Sequence, residues 1–286
     1  MPLHLRPATP HDAEPCGKIC HEAFTAINRA HNFPPDIPSP EEGIGVLRYM
    51  FSHAGHYCVV AESDGRLVGS NCMDERAAIG GIGPITVDPH AQNQGAGRML
   101  MQAVIDRAAG RRLAGVRLLQ AAFHNRSLSL YAKLGFVARE PISVMQGAPI
   151  GRPIDGFRVR AAQEGDLEVA NRLCETVHGF SRGGELAEAI GRGTAVVVER
   201  EGRVTGYSSM LGFFGHTVCA GNEDLQALIA ASASGFAGPG ILVPTRNAEL
   251  FLWCLNQGLR VMYPMTLMTI GQYGEPAGAY LPSVSY

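Results

Sequence analysis

The apolar positions of the chain keep changing period, and each change marks an element. In 85-ITVDP-89, Ile85 and Val87 alternate with polar neighbours, the pattern of a half-buried strand. Pro89 ends that strand because it has no N–H to give a ladder. From Leu100 onward, Leu100, Met101, Val104, Ile105 and Ala108 follow helical spacing. The same succession of rhythms occurs twice. The opening 5-LRPATPHDAEPCGKIC-20 lines up without a gap on 159-VRAAQEGDLEVANRLC-174. Each is a short strand, an Arg, then an acidic residue (Asp12, Asp166) leading into an amphipathic helix. Next, 58-CVVAESDGRLVGSNCM-73 matches 195-AVVVEREGRVTGYSSM-210, each a β-hairpin with Asp64-Gly65 or Glu201-Gly202 at its tip. A third match pairs 125-NRSLSLYAKLGF-136 with 247-NAELFLWCLNQGL-259, the later copy one residue longer, which puts Trp253 where Tyr131 stands. Two related α/β domains are predicted, residues 1–148 and 157–286, joined by the Gly- and Pro-rich stretch 149–156.

The copies part company between the hairpin and the last helix. The first has 92-QNQGAG-97 between a strand end and a helix start; the second has 216-HTVCAGNEDLQALIAAS-232. The first N–H groups of a helix lack internal partners, and its dipole favours an anion there. Gly95 and Gly97 remove Cβ atoms that would hold a phosphate away, and they permit positive φ. Arg98 and the Gln side chains can add donors, so the expected guest is a phosphate or pyrophosphate. Two other phosphate loops fail on the letters. A P-loop ends in Gly-Lys-Ser/Thr, whereas Gly97 is followed by Arg98-Met99. A Rossmann fingerprint needs a third glycine and an acidic residue about 20 positions later, and neither is present.

Composition narrows the partners. With 286 residues, 46% hydrophobic and 17% charged, the chain reads as globular. A net charge of −2 gives no broad positive field for nucleic acid or an anionic membrane. No apolar run approaches the roughly 18 residues of a membrane span, and the first residues lack the core of a secretory signal. The seven cysteines are scattered without a CxxC pair, and no metal site is expected. A cytoplasmic protein is expected.

Val87-Asp88-Pro89 followed by Gln92-x-x-Gly95-x-Gly97 resembles the acetyl-CoA signature of the GCN5-related N-acetyltransferases (GNATs), Q/R-x-x-G-x-G/A. The resemblance covers nearly all of residues 3–145, including the hairpin around Gly65 and the closing N…LYxKLGF segment. It implies an α/β fold of two tandem domains, each a twisted mixed β-sheet flanked by helices, with the fourth and fifth strands splayed around pantetheine. It implies acetyl-CoA as cofactor. The backbone at Ile85, Thr86 and Val87 would pair with pantetheine amides, and Gln92, Asn93, Gln94, Gly95, Ala96, Gly97 and Arg98 would hold the pyrophosphate. Asn125 would touch the cofactor arm, with Ser127 beside it as the cap of the next helix. Gly135 would close that helix with Phe136 packing back.

The implied reaction is direct transfer of an acetyl group to the primary amine of a small molecule or peptide. A lysine-like amine of pKa ~10.4 costs about 4.6 kcal/mol to neutralise at pH 7. The resemblance makes Tyr131 the donor to the departing sulfur. The base is open: many relatives carry a glutamate on the fourth strand, but 79-IGGIGPITV-87 has no carboxylate. Asp74, Glu75 and His124 are candidates, His124 for its pKa near 6.5, and a water chain is another route. The segment 29-RAHNFPPDIPSPEEGIG-45 joins the first two helices, where the family builds part of its acceptor site. A non-catalytic acyl-CoA sensor with the same fold is the alternative.

In the second copy Asn222, Glu223 and Asp224 would supply a cap and two carboxylates to the helix mouth, leaving no place for a pyrophosphate. That half is expected to complete the acceptor cleft, stiffen its neighbour or form a homodimer contact.

Overall fold

The computed structural model describes residues 3–285. Two compact units emerge. In the first, strand β1 (Leu3–Pro7) leads into helices α1 (Ala13–Ala30) and α2 (Pro40–Ser52). The hairpin β2 (His56–Ser63) and β3 (Arg66–Asp74) follows, then β4 (Ile79–Ile82) and β5 (Thr86–Val87). Helix α3 (Ala96–Gly110), strand β6 (Gly115–Ala121) and helix α4 (Asn125–Lys133) complete the run, and β7 (Val137–Gln146) leaves it.

Alternation along β3 explains the layers of this unit. Cys72 faces a core made with Cys16 and Cys20 of α1, Leu47 and Met50 of α2, and Cys58 and Val60 of β2. Asn71 points the other way and donates to the Leu100 carbonyl of α3 at 3.2 Å. Two glycines allow α1 and α2 to touch: a Cβ on Gly17 would lie 2.5 Å from the Ile44 backbone, and one on Gly43 2.5 Å from the Gly17 carbonyl.

The second unit contains β8 (Phe157–Ala161), α5 (Leu167–His178), α6 (Gly183–Gly191), β9 (Val196–Arg200), β10 (Arg203–Ser208) and β11 (Thr217–Cys219). Then come α7 (Asn222–Ala231), β12 (Ile241–Pro244), α8 (Ala248–Asn256), β13 (Arg260–Gly271) and β14 (Ala279–Leu281). Val197 and Val218 face Cys174 and Leu186 of α5 and α6, whereas Val198 and Cys219 face Leu225 and Ile229 of α7. That is the same two-sided arrangement as in the first unit.

The repeat read from sequence is also a repeat of local chemistry. The Arg6 guanidinium donates two 2.8 Å bonds to Asp12 and one of 2.9 Å to Glu62. Arg160 does the same with Asp166 (2.6 and 2.8 Å) and Glu199 (2.8 Å). Both hairpin tips are two-residue turns with positive φ, at Asp64-Gly65 and Glu201-Gly202.

The division of the chain differs from the expected one. The first unit ends at Val137 and takes up Thr269–Gln272, the end of β13, whereas β7 from Ala138 onward belongs to the second, beside β12. β7 and β13 follow equivalent helices in the two repeats, and the second unit holds β7 together with β13 as far as Met268, only the end of β13 falling in the first. The stretch expected as a linker is packed into the second unit. Gly151 and Arg152 donate to Ser232 and Ala230 at 3.2 and 2.9 Å, and Ile150 and Ile154 rest on its core.

Candidate active site

The fourth strand is in two pieces. β4 runs parallel to β6 only from Ile79↔Gly115 to Gly81↔Arg117; after Gly83-Pro84, β5 pairs with β3. β5 and the second half of β6 are therefore splayed, as the resemblance implies. Ile85 lies in the break between the pieces. Thr86 is buried, and its hydroxyl has no hydrogen-bond partner among the described residues.

Directly beyond β5, the chain makes one 3-10 turn (Pro89–Ala91) and enters α3. Gly95 occupies the cap position with φ +93°, no side chain caps the helix, and its first turn carries no carboxylate. Asn93 is also left-handed, at φ +68°. Asn93, Gln94, Gly95 and Arg98 are exposed and Ala96 is buried. The two glycines differ in what they require. Gly95 needs to be glycine for its backbone angle. A Cβ on Gly97 would meet Leu130 at 3.6 Å and Val87 at 3.8 Å, ordinary contacts, so the protein's own packing gives no reason for its absence. Gln92 turns inward, its amide donating to the Val87 carbonyl at 3.3 Å. It braces the loop against the strand.

The Leu130 contact brings the mouth of α3 against α4, which carries Tyr131. Tyr131 is buried at 7% exposure, and burial raises its phenol above the ordinary tyrosine value, so it is a neutral donor at physiological pH. α4 begins at Asn125, with His124 at the cap position, so Ser127 is not the cap expected from sequence. Its hydroxyl donates to the His124 carbonyl at 2.9 Å because the helix has started two residues earlier. Gln120, buried on β6, donates to that carbonyl and to Ser127 Oγ, both at 3.0 Å, fixing the turn that presents His124 and Asn125. At the other end Gly135 has φ +96° and the Phe136 N–H returns to the Tyr131 carbonyl at 3.0 Å, the expected glycine cap.

Of the three base candidates, two are committed elsewhere. Asp74 is clasped by Arg76, and Glu75 receives two bonds from Arg107 (2.7 and 2.9 Å). Glu75 is held below the usual carboxylate range mainly by Arg107; the Arg76 bonds keep Asp74 low against its burial. Both are ion-paired carboxylates and not solvated ones. His124 is half-buried, and burial with help from Arg126 and His31 lowers its pKa, which keeps the imidazole neutral and able to accept a proton. Sequence reasoning missed its surroundings. Phe123 stacks against Phe33 (centroids 4.5 Å) and His31 (5.2 Å) from the segment after α1.

At the corresponding place in the second unit the mouth is filled. Helix α7 is capped by Gly221 in extended geometry, not by Asn222. Asn222 instead exchanges amide bonds with Asn247 at 3.1 and 2.7 Å and donates to Glu249 at 2.9 Å, a bridge from α7 to α8. Glu223 meets Arg200 at 3.0 Å, and buried Asp224 accepts from Thr205 at 2.5 Å. The helix ends also correct the alignment. α4 and α8 each have nine residues, and Gly258 and the bond from Leu259 to the Cys254 carbonyl reproduce Gly135 and Phe136. The two copies therefore match without a gap, His124 with Asn247 and Tyr131 with Cys254, whose thiol burial pushes up to about 12. Trp253 corresponds to Leu130.

Residues 22–136 match the family model described as "Acetyltransferase (GNAT) family". Over that stretch, less than half of the chain, the sequence is similar to the GNAT family. Over nearly its whole length the fold is similar to that of several solved structures. A candidate acetyltransferase from Pyrococcus horikoshii is 18% identical, with 97% of this chain and 94% of that one covered at a TM-score of 0.75. A GCN5-related N-acetyltransferase from Sphaerobacter thermophilus is 16% identical over 99% and 98%, at 0.62. A tandem GNAT protein from the clavulanic acid biosynthesis pathway is 13% identical over 94% and 98%, at 0.57. No curated protein matches the sequence. Acetyl-CoA is the cofactor of the GNAT family. Among the described residues no group of three His, Cys, Asp or Glu side chains is placed to hold a metal ion, and no helix is long and apolar enough to cross a membrane.

Proposed function

We propose that the GNAT domain is an acetyl-CoA-dependent N-acetyltransferase acting on a primary amine, and that the second copy has lost its own cofactor site. The observation that carries this is the pair of helix mouths. α3 opens with an uncapped, carboxylate-free turn and a Gly97 that internal packing does not demand. The mouth of α7 is crossed by the Asn222–Asn247 bridge and carries Glu223 and Asp224. A pyrophosphate is stabilised by the N–H groups of the first and would meet like charge at the second.

Acetyl-CoA would supply a thioester as the donor of the acetyl group. Backbone groups of Ile85 and Val87, with Asn125, would hold its pantetheine arm. Tyr131, kept neutral by burial, would donate its phenolic hydrogen to the departing sulfur and regain it from solvent. His124 accepts the proton lost by the nitrogen, directly or through water. A sensor that binds without turnover is the second reading, favoured by the engagement of Asp74 and Glu75 in ion pairs. Thiol release from acetyl-CoA with a panel of primary amines separates the two. Turnover that Gly97→Glu abolishes supports the enzyme; CoA binding without thiol release for any amine overturns it.

A further inference from the structure

The outer edges of two equivalent strands, β5 and β11, face different things. In the first unit β5 pairs with β3 through Gly69↔Val87 and Ser70↔Thr86, and with no other strand among the described residues. The Asp88 N–H donates to the Val68 carbonyl at 2.8 Å, so the main chain of Asp88 faces β3. Main-chain groups of successive strand residues point to alternate sides, so those of Thr86 face β3 as well and those of Ile85 and Val87 turn away from it. Ile85 and Val87 are half-buried. The aligned hairpins equate Gly69 with Gly206, which pairs with Cys219 of β11. Cys219 is therefore the counterpart of Val87, and Thr217 that of Ile85. Their main chains point the same way. Ser209 donates to the His216 carbonyl at 2.9 Å and Ala220 to that of Thr205 at 2.8 Å. These bonds put His216, Val218 and Ala220 toward β10 and turn Thr217 and Cys219 outward. Here the outward edge is taken. β14 runs antiparallel along it, Leu281 opposite Thr217 and Ala279 opposite Cys219, and both strands are buried.

We propose that β14 occupies, in the second unit, the berth that a pantetheine arm takes in the first, which makes that berth a slot for extended polypeptide with residues 279–281 of this chain as its occupant. This rests on the acetyltransferase reading for the ligand of the first unit. A pantetheine arm is a slim chain with two amide groups, and a strand offers the same N–H and C=O groups to an edge. A buried main-chain N–H or C=O has to be paired, and β14 pairs those of Thr217 and Cys219. Strand addition of this kind takes its hold from the main chain and its selectivity from alternate side chains. Ala279 and Leu281 join a core with Ile241 and Val243 of β12, whereas Tyr280 lies edge-on to the His178 ring at 5.0 Å. The occupant is thus gripped by side chains on both faces, which an arm does not possess. The slot excludes a cofactor arm independently of the carboxylates at the mouth of α7.

Pantetheine tests the berth, because it carries the arm without the phosphates that Glu223 and Asp224 would repel. Amide NMR of the full chain reads where it lies. In the native chain the signals of residues 85–87 are expected to shift and those of 217–219 and 279–281 to stay. Leu281→Pro removes the N–H that faces Thr217 and is expected to release β14, after which pantetheine shifts 217–219 as well. Shifts at 217–219 in the native chain, or none there in a folded variant with β14 released, overturn the inference. Where Leu281→Pro unfolds the unit or leaves β14 in place, hydrogen exchange in the native chain decides. The Ala279 and Leu281 amides should exchange on the order of 100-fold or more slowly than open chain, at the same rate with and without saturating CoA. Open-chain rates, or faster exchange with CoA, overturn it. Should neither pantetheine nor CoA shift residues 85–87, the acetyltransferase reading fails, and the exchange at 279 and 281 with the response of the variant at 217–219 still decides what β14 does.

Discussion

At the scale of single residues, Gly97 separates a turn built for its own geometry from a turn built for a ligand. Its missing Cβ would fit among Val87 and Leu130 without a clash. Gly97→Ala is therefore expected to leave the melting temperature unchanged or slightly higher, since alanine is the better helix former by up to about 1 kcal/mol. CoA affinity should nevertheless fall at least ten-fold. Equal affinity would mean that nothing approaches the backbone there. Tyr131→Phe should lower kcat on the order of 100-fold with little change in KM for acetyl-CoA, and unaltered turnover would remove Tyr131 from the mechanism. For His124 the sign is set by burial, which lowers its pKa, so the neutral base persists below the ordinary histidine range. With an acceptor already neutral in mild acid, activity should hold down to that depressed pKa and fall beneath it. His124→Asn should flatten that limb, and an unchanged profile would assign the proton to water. The glycines and His124 could be singled out from residue type and spacing, and Tyr131 from the family resemblance, all three as proposals. The surroundings of Phe123 and Gln120 could not, because they come from what other segments bring beside them.

At the scale of elements, the strand–turn–helix openings of the two units have the same ion-pair chemistry. Asp12 has its pKa lowered to about 2, chiefly by Arg6. A depressed carboxylate pKa stabilises the fold fully above the unfolded value of about 3.9, and the contribution disappears as pH falls toward 2. Asp12→Asn should cost about 1–2 kcal/mol near neutrality, the lower part of the range for charged hydrogen bonds because Arg6 is partly exposed. It should also make unfolding less steeply pH-dependent between about pH 4 and 2; denaturant titrations at three pH values check both. A loss that is the same at every pH would contradict the ion-pair account. The Arg–Asp pairing was legible from the aligned repeats, but Glu62 and Glu199 were not, since strand register selects them. The second unit hides a larger example. Glu185 of α6 is held by Arg182 and accepts from Ser209 at 2.8 Å; His216 stands 3.1 Å from it and meets the Tyr207 hydroxyl at 2.7 Å. Nothing in the periodicity of residues 182–216 announces that network, because its members come from three elements that meet only on folding.

At the scale of the whole chain, two repeats of one fold have taken different courses at one helix mouth each. The repeat itself was readable, as were its hairpins and glycine caps, because they follow from local turn chemistry. The assignment of β7 and the end of β13 to units was not, because equivalent strands carry the same pattern. The extra residue assumed before Gly258 came from anchoring the alignment on Asn125 and Asn247; helix length and the shared glycine cap place Cys254, not Trp253, opposite Tyr131. One uncapped mouth and one bridged mouth make a countable difference. Titration calorimetry of CoA into the ligand-stripped full chain should give one equivalent per chain, lost in Gly97→Glu. Two equivalents, or no heat at any of several temperatures, would contradict the account.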